Sequence, residues 1–418
     1  MKKQIIALAV AALLLSSCGI YTKYERPEVK TDGLYGQDIE VEDTTSIASL
    51  SWRELFTDPQ LQSLIEHALQ GNTDLQSAQW RIKEAEATLS SARLAYLPSF
   101  MLTPQGGVSS FDKSKGSWTY SEQAVTTSLI ANVANMYYTL LMLDAQYNVS
   151  AETAAKWRES VKTMRAMKAA GMTDEAGVAQ TEANCYMVEA SLLDLKQQIR
   201  EVENSLSILL GDVPDAIERG KLQGQSFPEE LTVGVPLQLL SRRPDVKSAE
   251  LSLAQAFYST NAARSAFYPS ITLGGTAGWT NSAGSMIINP GKLLLSAVGS
   301  LTQPLFNKGL NMAQLKITKA QQEEAKLSFQ QALLNAGSEV NNALTQVQVA
   351  RGKTELRDGQ ITSLETAVRS TQLLMKHGNS TYLEVLTAQQ SLLSAQLTQI
   401  VDRFDEIQGI INLYQALG

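Results

Sequence analysis

The side chains that most often carry chemistry are scarce in this sequence. It contains two histidines, His67 and His377, and two cysteines, Cys18 and Cys185. The histidines lie 310 residues apart at predicted helix ends, so we interpret them as solvated side chains rather than metal ligands. No phosphate-binding glycine loop and no nucleophile–base constellation is present in the sequence. The pattern therefore predicts no catalytic residue, no metal site and no cofactor.

Two aspartates stand at matching places along the chain. Asp74 and Asp245 each directly precede an amphipathic run, so we predict that they are helix N-caps rather than catalytic carboxylates. Acidic pairs such as Glu323-Glu324 are interpreted as solvated helix faces. The carboxylates thus point to helix structure and not to acid–base chemistry.

Composition excludes two classes of protein. The 418 residues include 35 Lys and Arg against 42 Asp and Glu, a formal net charge of −7, which argues against nucleic-acid binding. Mean hydropathy is −0.11. After residue 20 the longest mostly apolar run is Leu129–Leu143, which is interrupted by Asn132 and Asn135. A bundle of transmembrane helices is excluded, because each would need about 20 consecutive apolar residues.

The first residues have the pattern of an export signal. Lys2 and Lys3 precede the apolar stretch Ile5–Leu15, and small residues then lead to Cys18. This arrangement resembles a bacterial lipoprotein signal, which implies that residues 1–17 are removed and that Cys18 is lipidated. By the same resemblance, Gly19 favours the outer membrane. The alternative is an ordinary signal peptide with an incidental cysteine.

The chain contains an internal repeat. A shift of 171 positions gives nine identities in the 26 positions from Asp74 to Ser99, and it aligns Pro98 with Pro269. Further along, a shift of 207 aligns Gly171 with Gly378 and Leu210-Gly211 with Leu417-Gly418. The difference, 207 − 171 = 36, means that the first half lacks 36 residues, all within the range 100–122.

Each repeat has the predicted order of helix, strand region and long helical hairpin. Pro98 and Pro269 end the first helix of their repeats. Proline-free stretches predict the helices Gln123–Ala170 and Asn311–His377, and Gly171 and Gly378 follow them as left-handed C-caps. Asp174 is placed in the first turn of the returning helix. Helices this long need neighbours along their whole length, as in a coiled coil or a tube of helices.

Two segments of the second repeat alternate like strands. Ile271–Trp279 alternates apolar with small or polar residues. In Leu293–Leu301, Leu293, Leu295, Ala297, Gly299 and Leu301 alternate with Leu294, Ser296, Val298 and Ser300, and Asn281–Gly291 forms the loop between the two segments. Each has about the 9–11 residues of a membrane-spanning strand, and Trp279 would lie at a membrane interface. A soluble antiparallel hairpin has the same period, so alternation alone leaves both interpretations open.

Several motifs together resemble one family. They are Trp52–Phe56 with Asp58-Pro59, Glu203-Asn204 with Leu209-Leu210-Gly211, Arg242-Arg243-Pro244-Asp245-Val246, and Tyr382-Leu383 with Val385-Leu386. These resemble the outer-membrane efflux channels of the TolC type, and Cys18 places the resemblance in the lipoprotein branch that serves RND-type pumps. The likeness covers nearly all of the mature chain.

The resemblance implies a mainly α fold with two structural repeats per protomer. It implies a homotrimer in which a 12-stranded β-barrel in outer-membrane lipid continues into a long periplasmic α-helical barrel. It also implies a periplasmic adaptor (membrane fusion) protein and an inner-membrane RND-type transporter as partners. By the same resemblance, Leu383, Thr387 and Gln390 form a candidate periplasmic aperture.

The sequence departs from this family at two places. The missing 36 residues correspond to the second strand of the first repeat and the start of its next helix. Three strands per protomer would leave an open edge in lipid, so we expect an impaired channel unless Ser109–Tyr120 substitutes as a strand. At the aperture, the family's Asp and Arg are replaced by neutral Thr387 and Gln390. The alternative is that the three aperture residues are ordinary helix-packing positions.

The sequence predicts five segments and a passive function. They are the signal peptide 1–17, a lipid-anchored extended segment 18–60, a first repeat 61–211, a linker or equatorial segment 212–243, and a second repeat 244–418. The expected function is the outer-membrane exit duct of a tripartite efflux system. The alternative is a lipid-anchored coiled-coil spacer or adaptor that forms no channel.

Overall fold

The computed structural model describes residues 23–27, 51–94, 119–227, 243–279, 293–302, 307–377 and 382–418. Cys18, Pro98 and Gly378 lie outside the described residues, as do residues 1–17. In chain order the elements are α1 (Trp52–Leu55), α2 (Pro59–Gly71), α3 (Thr73–Leu94), α4 (Thr119–Ala169), α5 (Glu175–Leu210), α6 (Pro244–Ser265), β1 (Ser270–Trp279), β2 (Leu293–Thr302), α7 (Leu310–Lys376) and α8 (Tyr382–Leu417).

The helix boundaries confirm the two structural repeats. Helices α3 and α6 both have 22 residues, and their bounds differ by 171 at each end. Helices α5 and α8 both have 36 residues, and their bounds differ by 207. The two shifts found in the sequence are therefore the spacings between equivalent helices.

The shortening of the first repeat is divided between a helix and the segment before it. Helix α4 has 51 residues and α7 has 67, and their last residues, Ala169 and Lys376, are 207 apart. Since the two helices end at equivalent positions, α4 as described is 67 − 51 = 16 residues shorter at its start than α7. The connection from Leu94 to Thr119 is also shorter than its counterpart from Ser265 to Leu310, which accounts for the remainder.

The start of α4 corrects one prediction. The helix begins at Thr119, four residues before the predicted Gln123. Thr119 and Tyr120 are therefore helical, so they cannot belong to a strand that replaces the missing one. The rest of that stretch, residues 109–118, lies outside the described residues.

The strands pair in the register that the alternation predicts. β1 and β2 are antiparallel, and Ile271 is opposite Leu301, Ala277 opposite Leu295, and Trp279 opposite Leu293. Between these pairs, Thr272 is opposite Ser300 and Thr276 opposite Ser296. Opposed residues share a face of the sheet, so one face has only apolar residues and glycine, and the other carries the threonines and serines together with Leu294 and Val298.

The chain divides into two compact units. One comprises residues 1–30 and 248–332, and the other comprises residues 31–247 and 333–418. In the first unit, Tyr24 packs edge-on against Phe257, and the Arg26 guanidinium lies over the Phe329 ring. In the second, the core contains the fully buried side chains Trp157, Tyr137, Tyr138, Phe56, Leu61 and Leu140. None of the described helices combines the length and apolarity needed to cross a membrane.

Local sequence explains how α2 begins. Asp58 caps it, because the Asp58 carboxylate accepts a hydrogen bond from the Gln60 N–H at 2.9 Å, and Pro59 occupies the first helical position. Leu61, Ile65 and Ala68 follow at spacings of four and three, and all three are buried. This stripe packs α2 against α4 and α5.

Candidate functional site

The first helical hairpin turns tightly at Gly171. Its φ is +72°, the left-handed conformation that the sequence pattern predicts there. The Gly171 N–H donates to the Lys168 carbonyl and the Met172 N–H to the Met167 carbonyl, which closes the end of α4. Asp174 is the N-cap of α5 rather than a first-turn residue, since its Oδ1 accepts from the Gly177 N–H at 2.9 Å.

Three ion pairs join α4 to α5 towards this turn. Arg158 contacts Glu189 at 2.6 Å, Arg165 contacts Glu182 at 2.8 Å, and Lys168 pairs with Glu175. The pairs are mostly exposed, so each contributes about 0–1 kcal/mol. The equivalent positions of the second hairpin are Glu365 with Gln396, Gln372 with Gln389, and Met375 with Tyr382. Opposite charges therefore join the first hairpin at these three places but not the second.

An apolar cluster packs the first hairpin against α8. Its buried members are Ala154 and Trp157 of α4, Cys185 and Val188 of α5, and Leu386 of α8. Burial raises the pKa of the Cys185 thiol, and the charge of Glu189 adds to this effect while Arg158 opposes it. A buried thiol with a raised pKa is a packing group rather than a nucleophile.

Among the candidate aperture residues, Gln390 makes a contact between repeats. Its Nε2 donates a hydrogen bond to Oδ1 of Asn184 at 2.9 Å, and Asn184 is buried with 6% exposure. Leu383 is 63% exposed. The Thr387 hydroxyl donates to the Leu383 carbonyl within its own helix. The structure thus places Leu383 and Thr387 on the surface of α8 and joins Gln390 to the first repeat.

Asn184 is the residue at this contact that sequence reasoning missed. It lies on α5 among the buried positions Val178, Thr181, Cys185 and Val188. A polar amide within an otherwise apolar helix face is a signal for a specific hydrogen bond. Its partner could not be identified from the pattern, because Gln390 is 206 residues away in the chain.

Farther from the turn, α8 carries two buried carboxylates paired with α7. Asp402 lies 2.9 Å from Arg357 and 3.5 Å from Lys353, and Glu406 lies 2.9 Å from Arg351. The side chains of Asp402 and Glu406 are 5% and 9% exposed. At this level the second hairpin is therefore joined by opposite charges.

A partly buried arginine fixes the segment that links the repeats. Arg219 contacts Asp144 of α4 through two hydrogen bonds of 2.5 and 3.1 Å and Glu203 of α5 through one of 2.6 Å. We call these three residues the Arg219 site. Burial raises the pKa of Glu203, but hydrogen bonds from Arg219 and Arg200 outweigh burial and hold that pKa below its ordinary value. The hydrogen bonds to Asp144 and Glu203 raise the pKa of Arg219 despite its burial.

Tyr137 of α4 attaches the linker to the start of α2. Its hydroxyl donates to Asp58 Oδ2 at 2.7 Å and accepts from the Gly220 N–H at 3.0 Å. The Gln225 amide also donates to Asp58 Oδ2, at 2.8 Å, and Arg403 of α8 donates to the Gln225 carbonyl. The described part of the predicted linker, 212–227, is thus bonded to both repeats.

Arg243 connects the start of the second repeat to the end of α8. Its guanidinium donates to Asp245, to Glu339 and to the Ala416 carbonyl, at 2.7 to 3.0 Å. Asp245 lies in the first turn of α6 and pairs with Arg243, so the prediction that Asp245 is an N-cap is wrong. Burial raises the pKa of Asp245, but Arg243 outweighs burial and the net pKa is lowered.

The N-cap prediction is also wrong for Asp74. Asp74 lies in the first turn of α3, and Asn72 accepts the capping hydrogen bond from the Leu75 N–H at 2.9 Å. The Asn72 amide also donates to the Leu209 carbonyl of α5, a contact that fixes the position of the cap. Helix α6 ends at Ser265, and Pro269 follows it directly before β1.

Both histidines lie in exposed surroundings. His67 lies 3.0 Å from Asp212 with both side chains about half exposed, and the backbone N–H of His377 donates to carbonyls at the end of α7. Within the described ranges, no three His, Cys, Asp or Glu side chains form a group that could hold a metal ion.

The fold and these contacts define a class of protein. Duplicated helical hairpins, each following a short helix, are combined with an antiparallel strand pair that is apolar on one face. That is the architecture of a channel wall. The sequence profile described as outer membrane efflux protein matches residues 118–212 and 235–418. The chain belongs to the outer membrane efflux protein family.

Individual relatives agree over the whole chain. The toluene efflux pump outer membrane protein TtgC of Pseudomonas putida is 28% identical, covering 100% of this chain and 96% of the relative. The probable outer membrane lipoprotein SilC of Salmonella typhimurium is 25% identical, covering 100% and 98%. The TtgC alignment spans 469 positions, so at least 469 − 418 = 51 of them have no residue here.

A solved structure agrees with the fold. A crystal structure of CusC, concerned with folding and transmembrane channel formation, superposes with a TM-score of 0.83 at 24% identity, covering 95% of this chain and 99% of CusC. Together with the family, these relatives show that the protein is an outer-membrane exit duct of an efflux system.

Proposed function

We propose that three lipid-anchored copies of this chain form a passive duct, and that it joins a periplasmic adaptor and an RND-type inner-membrane transporter. The observation that carries this proposal is the strand register of ten opposed pairs, in which one face has only apolar residues and glycine and all the threonines and serines lie on the other face. Such a hairpin needs strand neighbours at both edges, and further copies of the chain supply them.

The anchor is assigned to Cys18. The relative named as an outer membrane lipoprotein supports it, and the small residues before Cys18 supply the signal. Acyl chains stabilise attachment by about 0.8 kcal/mol for each buried CH₂. Labelling cells with a radioactive fatty acid tests the assignment. We expect label in the wild type and in Cys185→Ser but none in Cys18→Ala, and label that persists in Cys18→Ala would overturn it.

Substrate choice is assigned to the pump rather than to the duct. Relatives named for toluene efflux and for cation efflux have similar identities to this chain, 28% and 25%. One channel architecture therefore occurs in relatives named for chemically unlike cargo. The candidate aperture of Leu383, Thr387 and Gln390 carries no charge that would select among ions.

The shortened first repeat lowers conduction in this proposal. The connection between α3 and α4 is shorter than the equivalent connection between α6 and α7, which contains the strand pair. A matched variant replaces residues 100–122 with the equivalent residues 271–329, which restores the missing 36. In planar bilayers we expect larger and more stable single-channel conductance from this variant than from the wild type. Equal conductance would show that the wild-type wall is already closed.

A further inference from the structure

A short N-terminal segment is bound in the same compact unit as the strand pair. The Tyr24 ring meets the Phe257 ring of α6 edge-on, with 5.7 Å between the ring centroids. The Arg26 guanidinium lies 5.4 Å from the centroid of the fully buried Phe329 ring of α7 and 4.0 Å from the Glu250 carboxylate of α6. We call Tyr24 and Arg26, together with these three partners, the N-terminal clip.

The clip gives the segment a direction along α6. Arg26 contacts Glu250, whereas Tyr24 contacts Phe257. Phe257 stands 257 − 250 = 7 positions farther along α6, a rise of about 10 Å. Helix α6 ends at Ser265, and β1 follows. Followed from Arg26 back to Tyr24, the chain therefore leads towards the strands.

The residues before the clip give Cys18 a limited reach. Cys18 precedes Tyr24 by 24 − 18 = 6 positions, so an extended chain spans at most about 20 Å between them. From Phe257 to Ser265, where α6 ends, the helix rises about 12 Å. With the clip closed, an acyl group on Cys18 can therefore pass the end of α6 by only about 8 Å.

Exposed aromatic side chains lie at the same level. Phe267 and Tyr268 follow the end of α6 directly before β1, and they are 39% and 48% exposed. Tyrosine is enriched where lipid meets water, and phenylalanine is common on surfaces that enter the edge of the acyl layer. The reach of Cys18 and the exposed rings thus point to one lipid boundary, at the junction of α6 and β1.

We propose that the N-terminal clip is a tether of limited length. It holds the acylated N-terminus on the unit that carries the strands, so that the acyl chains enter the lipid surface beside Phe267 and Tyr268. The inference rests on the proposed lipidation of Cys18. Because the hold of the acyl chains grows with every CH₂ group buried in lipid, a segment that is too short should open the clip rather than withdraw the anchor.

Trypsin reports whether the clip is closed. Lys23 is exposed, and cleavage after it requires Tyr24 to leave α6, whereas Arg26 precedes a proline and is not cleaved. Lys30→Gln removes the next site, and this parent protein is lipidated and inserted in vesicles of phosphatidylethanolamine and phosphatidylglycerol. The intact mass identifies the cut. Each rate is divided by that of a matching peptide, which corrects for sequence changes near the cleaved bond.

Shortening the segment tests the tether. Deletion of residues 20–22 keeps Gly19 and reduces the reach to about 10 Å, which no longer passes the end of α6. We expect cleavage after Lys23 to be about tenfold faster than in the parent, since cleavage follows the population of the open clip. Two controls should be cleaved as slowly as the parent. One is the same deletion with Cys18→Ser behind an ordinary signal peptide, and the other inserts Gly-Ser-Gly after Gly19.

A substitution tests the clip in a segment of normal length. Arg26→Met removes the contacts of the guanidinium with Phe329 and Glu250, and we expect cleavage after Lys23 to be at least about threefold faster. Glu25→Gln is the matched control, because Glu25 is exposed and should leave the rate unchanged. Equal rates for Arg26→Met and the parent would show that the clip does not hold the segment.

The outcomes separate this inference from the proposed function. A shortened, lipidated chain that is cleaved as slowly as its parent would overturn the tether. Equal acceleration without the acyl chains would also overturn it, because the deletion itself would then open the clip. Either result leaves the proposed duct and its anchor standing. Absence of fatty-acid label at Cys18 would instead overturn the proposed anchor and this inference together.

Discussion

At the scale of single residues, a few buried charges connect segments that are distant in the chain. Arg219 reaches Asp144, 75 residues away, and Arg243 reaches the Ala416 carbonyl, 173 residues away. Their planar groups bind carboxylates and carbonyls in fixed directions, which positions one helix relative to another.

Removing Arg219 should be costly. Arg219→Met leaves Glu203, whose side chain is 8% exposed, without its closest cation. We expect a loss of about 3 kcal/mol in the free energy of unfolding, measured by denaturant titration in detergent. The matched control is Arg200→Met, which removes the more exposed partner of Glu203 and should cost less than about 1 kcal/mol. Equal costs for the two variants would contradict the importance given to Arg219.

The Arg219 site also predicts a dependence on pH. Because the pKa of Glu203 is lowered from 4.5, its charge stabilises the fold fully above pH 4.5 and progressively less as pH falls through the lowered pKa. The wild type should therefore unfold at a higher temperature than Glu203→Gln at pH 7, and the difference should shrink below pH 4.5. A difference that grows on acidification would show that the sign of this contribution is wrong.

At the scale of elements, the two hairpins are held together differently. The first has three ion pairs near its turn, and the second has buried pairs at Asp402 and Glu406 farther away. Near the turns, one neutral hydrogen bond between Asn184 and Gln390 joins the repeats within the described residues. This contact between the repeats pairs two neutral amides.

The Asn184–Gln390 hydrogen bond can be measured with a double-mutant cycle. Gln390→Ala leaves the buried Asn184 amide without this partner and should lower the free energy of unfolding by about 1–3 kcal/mol. Replacing both residues with leucine should recover most of that loss. Thr387→Ala is the control, since its hydroxyl donates to the Leu383 carbonyl within α8, and it should change stability by less than about 0.5 kcal/mol. If the change in the free energy of unfolding for the double variant equals the sum of the changes for the two single variants, the two amides do not interact.

The helices could be predicted from the sequence more fully than the contacts between them. Aligning the two repeats at offsets of 171 and 207 residues identified the equivalent helices, because identities such as Pro98 with Pro269 fix the alignment directly. The prediction that Asp74 is the N-cap of α3 was wrong. Asn72 and Asp74 are both residue types that cap helices well, so the local sequence does not choose between them. The contact from Asn72 to the Leu209 carbonyl, 137 residues away, decides between them. Propensity has no information about such distant contacts.

At the scale of the whole molecule, each of the two repeats in the chain forms a similar segment of the channel wall. Each repeat supplies a short helix and a helical hairpin, and the second supplies the strand pair. A wall made of such segments encloses an aqueous space only when several copies surround it. The 36 residues that the first repeat lacks are therefore missing at the same place in every copy.

The most direct test of the proposed duct is the number of copies in the intact particle. Wild-type protein is extracted from outer membranes in mild detergent and weighed by native mass spectrometry, before and after heating. The proposed duct should have the mass of three lipidated chains, which falls to that of one chain on heating, with a loss of β signal in circular dichroism. A single chain before heating would contradict it.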